Sequence, residues 1–295
     1  MKYLILLLTG IVLQSTGFSQ DIEDTVTIFG RDRFYRVHLP INYTYQKEYP
    51  VVFVFHGGLG NPDNIEQTTS FSAKADKEDF IVVYPYGTGA FPKKLLTWNT
   101  WDCCGYADKK DMNEMEFIKL VLQKVKEKYR VNDKMIYAAG MSNGGMMCYL
   151  LACEMPDQFA AVAPVAATMF DENQCTANSE ISMIIFNSID DKHIPYEGGI
   201  GKESIVQVEK MPVEKVVDFW TEKFDCRLIN KTESSLFHKI NFANNNGTEI
   251  VFFRMLSGGH SWPGGERGRL RADKPVKDVS ATDLIWEFFK YHPKK

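Results

Sequence analysis

Met135-Ile136-Tyr137-Ala138-Ala139-Gly140-Met141-Ser142-Asn143-Gly144-Gly145-Met146-Met147 is the stretch on which the fold turns. Met135 to Ala139 is short and apolar with a β-branched residue, which predicts a buried strand. Gly145 to Ala152 has the length and composition of a helix. Between them stands Gly-x-Ser-x-Gly in the strand–turn–helix setting that gives this pattern its meaning. A serine on such a sharp turn has its hydroxyl pushed outward. The turn leaves little room two residues to either side, where Gly140 and Gly144 stand. The N–H of Asn143 opens the new helix and is placed to hold an oxyanion. The bland alternative is an ordinary glycine-rich connection, which lacks partners for the serine.

Partners are present, and in the right order. A serine hydroxyl needs a base, and the base needs an orienting acid. In doubly wound hydrolases these follow the serine as acid, then histidine. Ser142 is followed by Asp190 and Asp191, just past the predicted strand Met183–Phe186, and then by His260 in Ser257-Gly258-Gly259-His260-Ser261-Trp262-Pro263-Gly264-Gly265. Carboxyl ends of parallel strands are where such groups gather. Both aspartates also suit a turn; of the two, Asp191 is the expected acid. Upstream, Val51–Phe55 reads as a central strand ending in His56-Gly57-Gly58-Leu59, where a second oxyanion N–H, that of Gly58, is expected and where His56 would brace the loop.

Strands and helices alternate around these points. Thr25 to Leu39 reads as a hairpin about Gly30. Asn64–Lys77, Glu114–Tyr129, Pro212–Phe224 and Ala281–Tyr291 read as helices, and Phe80–Tyr84, Phe159–Ala166 and Glu249–Leu256 as further strands. Tyr86 to Lys110 has no period, and Gly198 to Glu209 reads as a surface excursion. The pattern predicts an α/β fold, a doubly wound, mostly parallel sheet with helices on both faces, in one domain over residues 20–295.

The 295 residues are 44% hydrophobic and 24% charged, with a formal net charge of −4. That is a globular composition, and the absence of a basic excess argues against nucleic acid as a partner. Met1 to Gln20 has a positive start at Lys2, an apolar stretch from Tyr3 to Leu13 and small residues in Gly17-Phe18-Ser19, with cleavage expected after Ser19, so residues 1–19 read as a signal peptide. No later stretch reads as a membrane span, and no cysteine precedes Cys103 to carry a lipid. The expected location is therefore secreted or periplasmic, as a monomer. Six cysteines in the exported part suggest disulfides. The neighbours Cys103 and Cys104 are not expected to bond to each other, and Cys148 reads as a buried thiol.

Several separated blocks carry a resemblance. His56-Gly57-Gly58, Trp98-Asn99 with Cys103-Cys104-Gly105, Gly140 to Met147, Leu151-Ala152-Cys153-Glu154, Ile194-Pro195-Tyr196 with Gly198-Gly199, and Gly259 to Gly264 resemble the secreted polyhydroxybutyrate depolymerase-like esterases, a group with feruloyl and acetylxylan esterases of the first carbohydrate-esterase family. The resemblance covers about Tyr35 to the C-terminus. It implies an α/β-hydrolase fold, a Ser142–Asp191–His260 triad, no metal or cofactor, and a disulfide from the Cys103-Cys104 pair to Cys153, with Cys175 to Cys226 as a second. The chain departs from the family pattern at Asn187-Ser188, where His-Gly is common, and at Asn113-Glu114, where two aspartates are common.

The expected activity is a serine carboxylic-ester hydrolase on feruloyl or acetyl decorations of plant polysaccharide. Trp98, Trp101 and Trp262 are candidates to line the substrate cleft, Trp262 and Trp98 foremost. A depolymerase of polyhydroxybutyrate or another short-chain polyester is the alternative within the class. A non-catalytic carbohydrate binder on the same fold would need none of the triad residues. A serine peptidase would use all three.

Overall fold

A computed structural model describes residues 20–295 apart from 102, 205 and 269–271. The expected signal peptide, residues 1–19, lies outside the described residues. One ten-stranded sheet runs through them. Its strands are β1 (Gln20–Ile28), β2 (Arg31–Leu39), β3 (Tyr49–Phe55), β4 (Ile81–Pro85), β5 (Val131–Met141), β6 (Ala161–Val165), β7 (Ser182–Ser188), β8 (Arg227–Glu233), β9 (Phe237–Ala243) and β10 (Glu249–Met255). The order across the sheet is β1-β2-β4-β3-β5-β6-β7-β10-β9-β8. The six strands from β4 to β10 run parallel, and an antiparallel hairpin closes each edge.

The helices are α1 (Pro62–Thr69), α2 (Phe71–Glu78), α3 (Gly105–Lys109), α4 (Glu114–Lys128), α5 (Asn143–Glu154), α6 (Val213–Lys223) and α7 (Ala281–Tyr291). Alternation along a strand sends successive side chains to opposite faces. In β3, Val51, Phe53 and Phe55 join one core with Phe117 of α4, Met146 of α5 and Trp220 of α6. Val52 and Val54 join the other with Ile65 of α1, Phe71 of α2 and Trp286 of α7. Both faces are thus covered, as parallel strands require. Together with the solved structures described below, this is the α/β-hydrolase fold.

Two expectations change. The helix expected over Asn64–Lys77 is two helices. Asn61 caps the first, accepting from the Asn64 N–H at 3.0 Å, and Ser70 breaks the run in a left-handed conformation, φ 55°. The hairpin β8–β9 was not foreseen. Every residue of β8 is exposed, so it lacks the apolar alternation that marks a half-buried strand; backbone pairing to β9 on the β10 edge makes it. The Gly198 to Glu209 excursion is pinned at its base, where Gly199 and Lys210 exchange two backbone hydrogen bonds of 2.9 and 3.1 Å.

Candidate active site

The chain moves from β3 to β4 on one side and then to β5 on the other, so the loops after β3 and β5 meet at the topological switch point. Gly140, at the end of β5, pairs with Phe55, at the end of β3. The next residues of the two strands form the site.

Ser142 sits between β5 and α5 at φ 57° and ψ −124°, a conformation few non-glycine residues adopt. The Ser142 N–H donates to Val165 O at 2.9 Å, and its carbonyl accepts from the Met146 N–H at 2.9 Å. The glycine requirement is steric. A Cβ on Gly140 would stand 2.2 Å from Gly144 O; one on Gly144 would stand 2.2 Å from Phe55 O and 2.6 Å from His56 O. At the first position of α5 the Asn143 N–H has no intrahelical acceptor. The buried Asn143 side chain fixes its orientation: Oδ1 accepts from the Trp98 N–H at 2.8 Å, and Nδ2 donates to Trp98 O and Thr100 Oγ1, both at 3.2 Å.

The second loop lies against the first. A Cβ on Gly57 would be 3.4 Å from Ser142 Cβ, and one on Gly58 3.9 Å from Asn143 Cβ. His56 is fully buried and braces this loop. Its Nε2 accepts from the Gly87 N–H at 3.0 Å, so the proton is on Nδ1, which donates to Gly57 O at 2.8 Å. Its carbonyl accepts from Trp98 Nε1 at 2.9 Å.

Asp191 and His260 stand in the loops that follow the adjacent parallel strands β7 and β10. Asp191 is buried. Its Oδ1 accepts from the N–H groups of His193 and Ile194 at 2.7 and 2.9 Å, and its Oδ2 accepts from His260 Nδ1 at 2.7 Å. That bond places the ring proton on Nδ1 and leaves Nε2 as a base. Asp190 does something else. It is exposed, and its Oδ1 accepts from Ser188 Oγ at 2.6 Å and from the Gly259 N–H at 2.8 Å, holding the histidine loop rather than the ring. The His260 N–H donates to Asp273 Oδ2 at 2.7 Å. Gly259, φ 56°, allows that approach, since a Cβ there would lie 2.3 Å from the same oxygen.

Ser142, Asn143, Gly58 and His260 line one cavity of about 330 Å³. Sequence reasoning passed over His193, whose ring centre is 4.6 Å from that of His260 and which lines the same cavity. Burial is the first cause that holds its pKa below the ordinary histidine value, with His260 adding to it. His193 stands only two residues from Asp191, and nothing in the sequence signals that its ring lies tilted against that of His260.

The tryptophans behave differently from expectation. Trp98 is fully buried and lies outside the cavity lining. It ties His56 to Asn143, so it holds the two loops together from behind the cavity wall. Trp262 does line the cavity, but it is only 1% exposed, with Nε1 donating to Thr282 Oγ1 at 3.0 Å. Trp101 lies at a separate depression beside Glu114. Glu114 itself is buried against Arg33 at 2.8 Å, and its other oxygen accepts from the Asn99 N–H at 3.2 Å, fixing the segment that carries Trp98.

The cysteine pairing is corrected. Cys153 bonds Cys175, with S–S 2.04 Å and Cα–Cα 5.1 Å, rather than the Cys103-Cys104 pair. Cys103 and Cys104, joined by a cis peptide, are bonded to each other, contrary to expectation. Cys148 and Cys226 are buried thiols; burial pushes both upward, Cys226 to about 11. Among the described residues, Asp21, His38 and Glu66 bring three ligand atoms within 4.8 Å, but none lines the cavity and both His38 nitrogens already face carboxylates, Asp21 and Asp76. Among them, too, no helix is long and apolar enough to cross a membrane.

Known proteins can now be set beside this geometry. Feruloyl esterase B of Piromyces equi is 29% identical over 170 residues, which is 56% of this chain but only 30% of that protein's length. A probable feruloyl esterase C of Aspergillus terreus is 27% identical over 297 aligned positions, covering 96% of this chain and 93% of the relative. In three dimensions the chain resembles the acetyl xylan esterase from Aspergillus awamori, with TM-score 0.62, 14% identity, and 91% and 99% of the two chains covered. A family model described as Esterase PHB depolymerase matches residues 34–193, more than half of the chain, and the protein belongs to that family of esterases.

Proposed function

We propose that the protein is an exported serine carboxylic-ester hydrolase that removes feruloyl or acetyl groups from plant polysaccharide. The observation that carries this reading is the buried Asp191 carboxylate 2.7 Å from His260 Nδ1, on the cavity into which the Ser142 turn opens. In this reading Nε2 of His260 takes the proton of Ser142 as its Oγ attacks the ester carbonyl, and Asp191 stabilises the imidazolium. The N–H groups of Asn143 and Gly58 hold the oxyanion. His260 then protonates the departing alcohol, and water, activated by the same ring, releases the acid and restores Ser142. No step calls for a metal or cofactor.

The relatives named feruloyl esterases support the substrate class, and Leu59, Ile65, Met141, Met146, Ile194 and Val206 on the cavity wall suit an acyl group. The family description favours a second reading, hydrolysis of polyhydroxybutyrate or another short-chain polyester. A panel of methyl ferulate, acetylated xylan and a hydroxybutyrate oligomer separates them. Turnover of the first or second, abolished in Ser142→Ala, is expected. Turnover of the oligomer alone selects the polyester reading. Release of amine from matched amides would make the protein a peptidase, and no turnover of any ester by folded protein would leave a binder.

A further inference from the structure

Lys210 stands out among the residues that line the catalytic cavity. It is only 3% exposed. Its backbone closes the excursion against Gly199, and its side chain then turns inward. Nζ donates to Ser204 Oγ at 3.1 Å and to Val208 O at 3.0 Å. Both acceptors are neutral. An ammonium has three N–H donors, so one is left.

No carboxylate among the described residues lies within ion-pair distance of it. The nearby anions are engaged elsewhere. Asp191 acts on Lys210 through space, but its oxygens are taken by His260 and by the His193 and Ile194 N–H groups. Asp273 accepts from the His260 N–H, and Glu266 pairs with Lys277 at 2.8 Å. A buried charge without a counter-ion is expensive, and burial does hold the Lys210 ammonium below the ordinary lysine range. A methionine or leucine would fill the same space without that penalty. The charge therefore needs a use, and its place on the wall shared with Ser142 and His260 indicates what the use is.

We infer that Lys210 is a recognition residue for a carboxylate carried by the ester substrate, with its remaining N–H as the donor. This rests on the esterase reading for the identity of the substrate, though carboxylate binding does not depend on turnover. The carboxylate belongs either to the alcohol side, as on a uronic acid unit of a decorated polysaccharide, or to the acyl side, as in the half-ester of a diacid.

Two matched pairs distinguish the sources. Methyl glycosides of acetylated glucuronic acid and acetylated glucose test the alcohol side. Methyl 4-carboxycinnamate and methyl 4-methylcinnamate test the acyl side. In one pair the wild-type protein is expected to favour the carboxylate by at least about tenfold in kcat/KM, about 1.4 kcal/mol, mainly through KM. Lys210→Met should bring that ratio close to one, and Lys210→Arg should retain most of it. Calorimetric titration of glucuronate and of 4-carboxycinnamate into Ser142→Ala reads the same preference without chemistry, so a protein that proves not to be an esterase still tests the site. The inference is overturned if wild type prefers neither carboxylate. It is also overturned if Lys210→Met keeps the preference, or if that variant weakens both members of a pair equally, which is what a purely structural clamp on the excursion would give.

Discussion

Replacing Gly144 by alanine tests the architecture of the site most sharply. The added Cβ would stand 2.2 Å from Phe55 O and 2.6 Å from His56 O. Ordinary contact begins at 3.4 Å, so backbone must part by about 1.2 Å. Neither oxygen belongs to a flexible side chain. Phe55 ends a central strand, and His56 O accepts from Trp98 Nε1 at 2.9 Å. The strain is relieved by pushing the Gly57–Gly58 loop away from Ser142 and Asn143. Overpacking of this kind costs about 1–3 kcal/mol of stability. A displacement near 1 Å at a catalytic constellation costs on the order of 10²-fold in rate. Gly30→Ala is the comparison. Gly30 has φ +75° but nothing within 4 Å of a built Cβ, so the same mutation there costs about 1–3 kcal/mol through backbone strain alone and leaves kinetics unchanged. The assay is hydrolysis of a soluble aryl ester, with guanidinium unfolding of both variants. A folded Gly144→Ala protein with kcat/KM within threefold of wild type would refute the reasoning that packs the two loops into one oxyanion site.

Other consequences follow from single contacts. Asp191→Asn should lower kcat by on the order of 10⁴ with little change in KM, because the amide cannot hold the Nδ1–H tautomer, whereas Asp190→Asn should cost far less; steady-state kinetics of the pair checks which aspartate matters. His193 has a folded-state pKa below its unfolded value of about 6.5, so it binds fewer protons when folded. Its contribution to stability is complete above about pH 6.5 and is lost as pH falls through the lower folded value, so His193→Gln should flatten the acid-side fall in unfolding free energy; an unchanged slope would contradict this. Glu114→Ala leaves the buried Arg33 unpaired and should cost about 3–5 kcal/mol in chemical denaturation. Non-reducing peptide mapping should yield Cys153 linked to Cys175; a peptide linking Cys153 to residue 103 or 104 would contradict the structure.

Ser142, Asp191 and His260 were legible in the sequence as candidates because each depends on a local rule. Gly140 and Gly144 declare a steric demand, and the order of Ser142, Asp191 and His260 follows from strands that run parallel in one sheet. What the sequence did not carry depends on contacts between distant segments. Asp190 and Asp191 share one turn, and only its register decides which faces the ring. Trp98 is as plausible in a cleft as behind it until His56 and Asn143 are placed around it. β8 has no buried side because it pairs only with β9 at the sheet edge, while Phe237, Ile240 and Phe242 of β9 pack against the cores. Ser70 splits a helix by one residue's dihedral. The resemblance implies Cys153 bonded to the Cys103-Cys104 pair, but the fold brings Cys175, 22 residues on, to a Cα–Cα distance of 5.1 Å from Cys153.

The central claim is that Ser142 becomes acylated with His260 and Asp191 behind it. Acid quenching during turnover of 4-nitrophenyl acetate, followed by tandem mass spectrometry, tests it directly. One acetyl group on the Ser142 peptide of the wild-type protein is predicted, with none in His260→Ala. Turnover with no acetyl group there, or with it on another residue, would contradict the account.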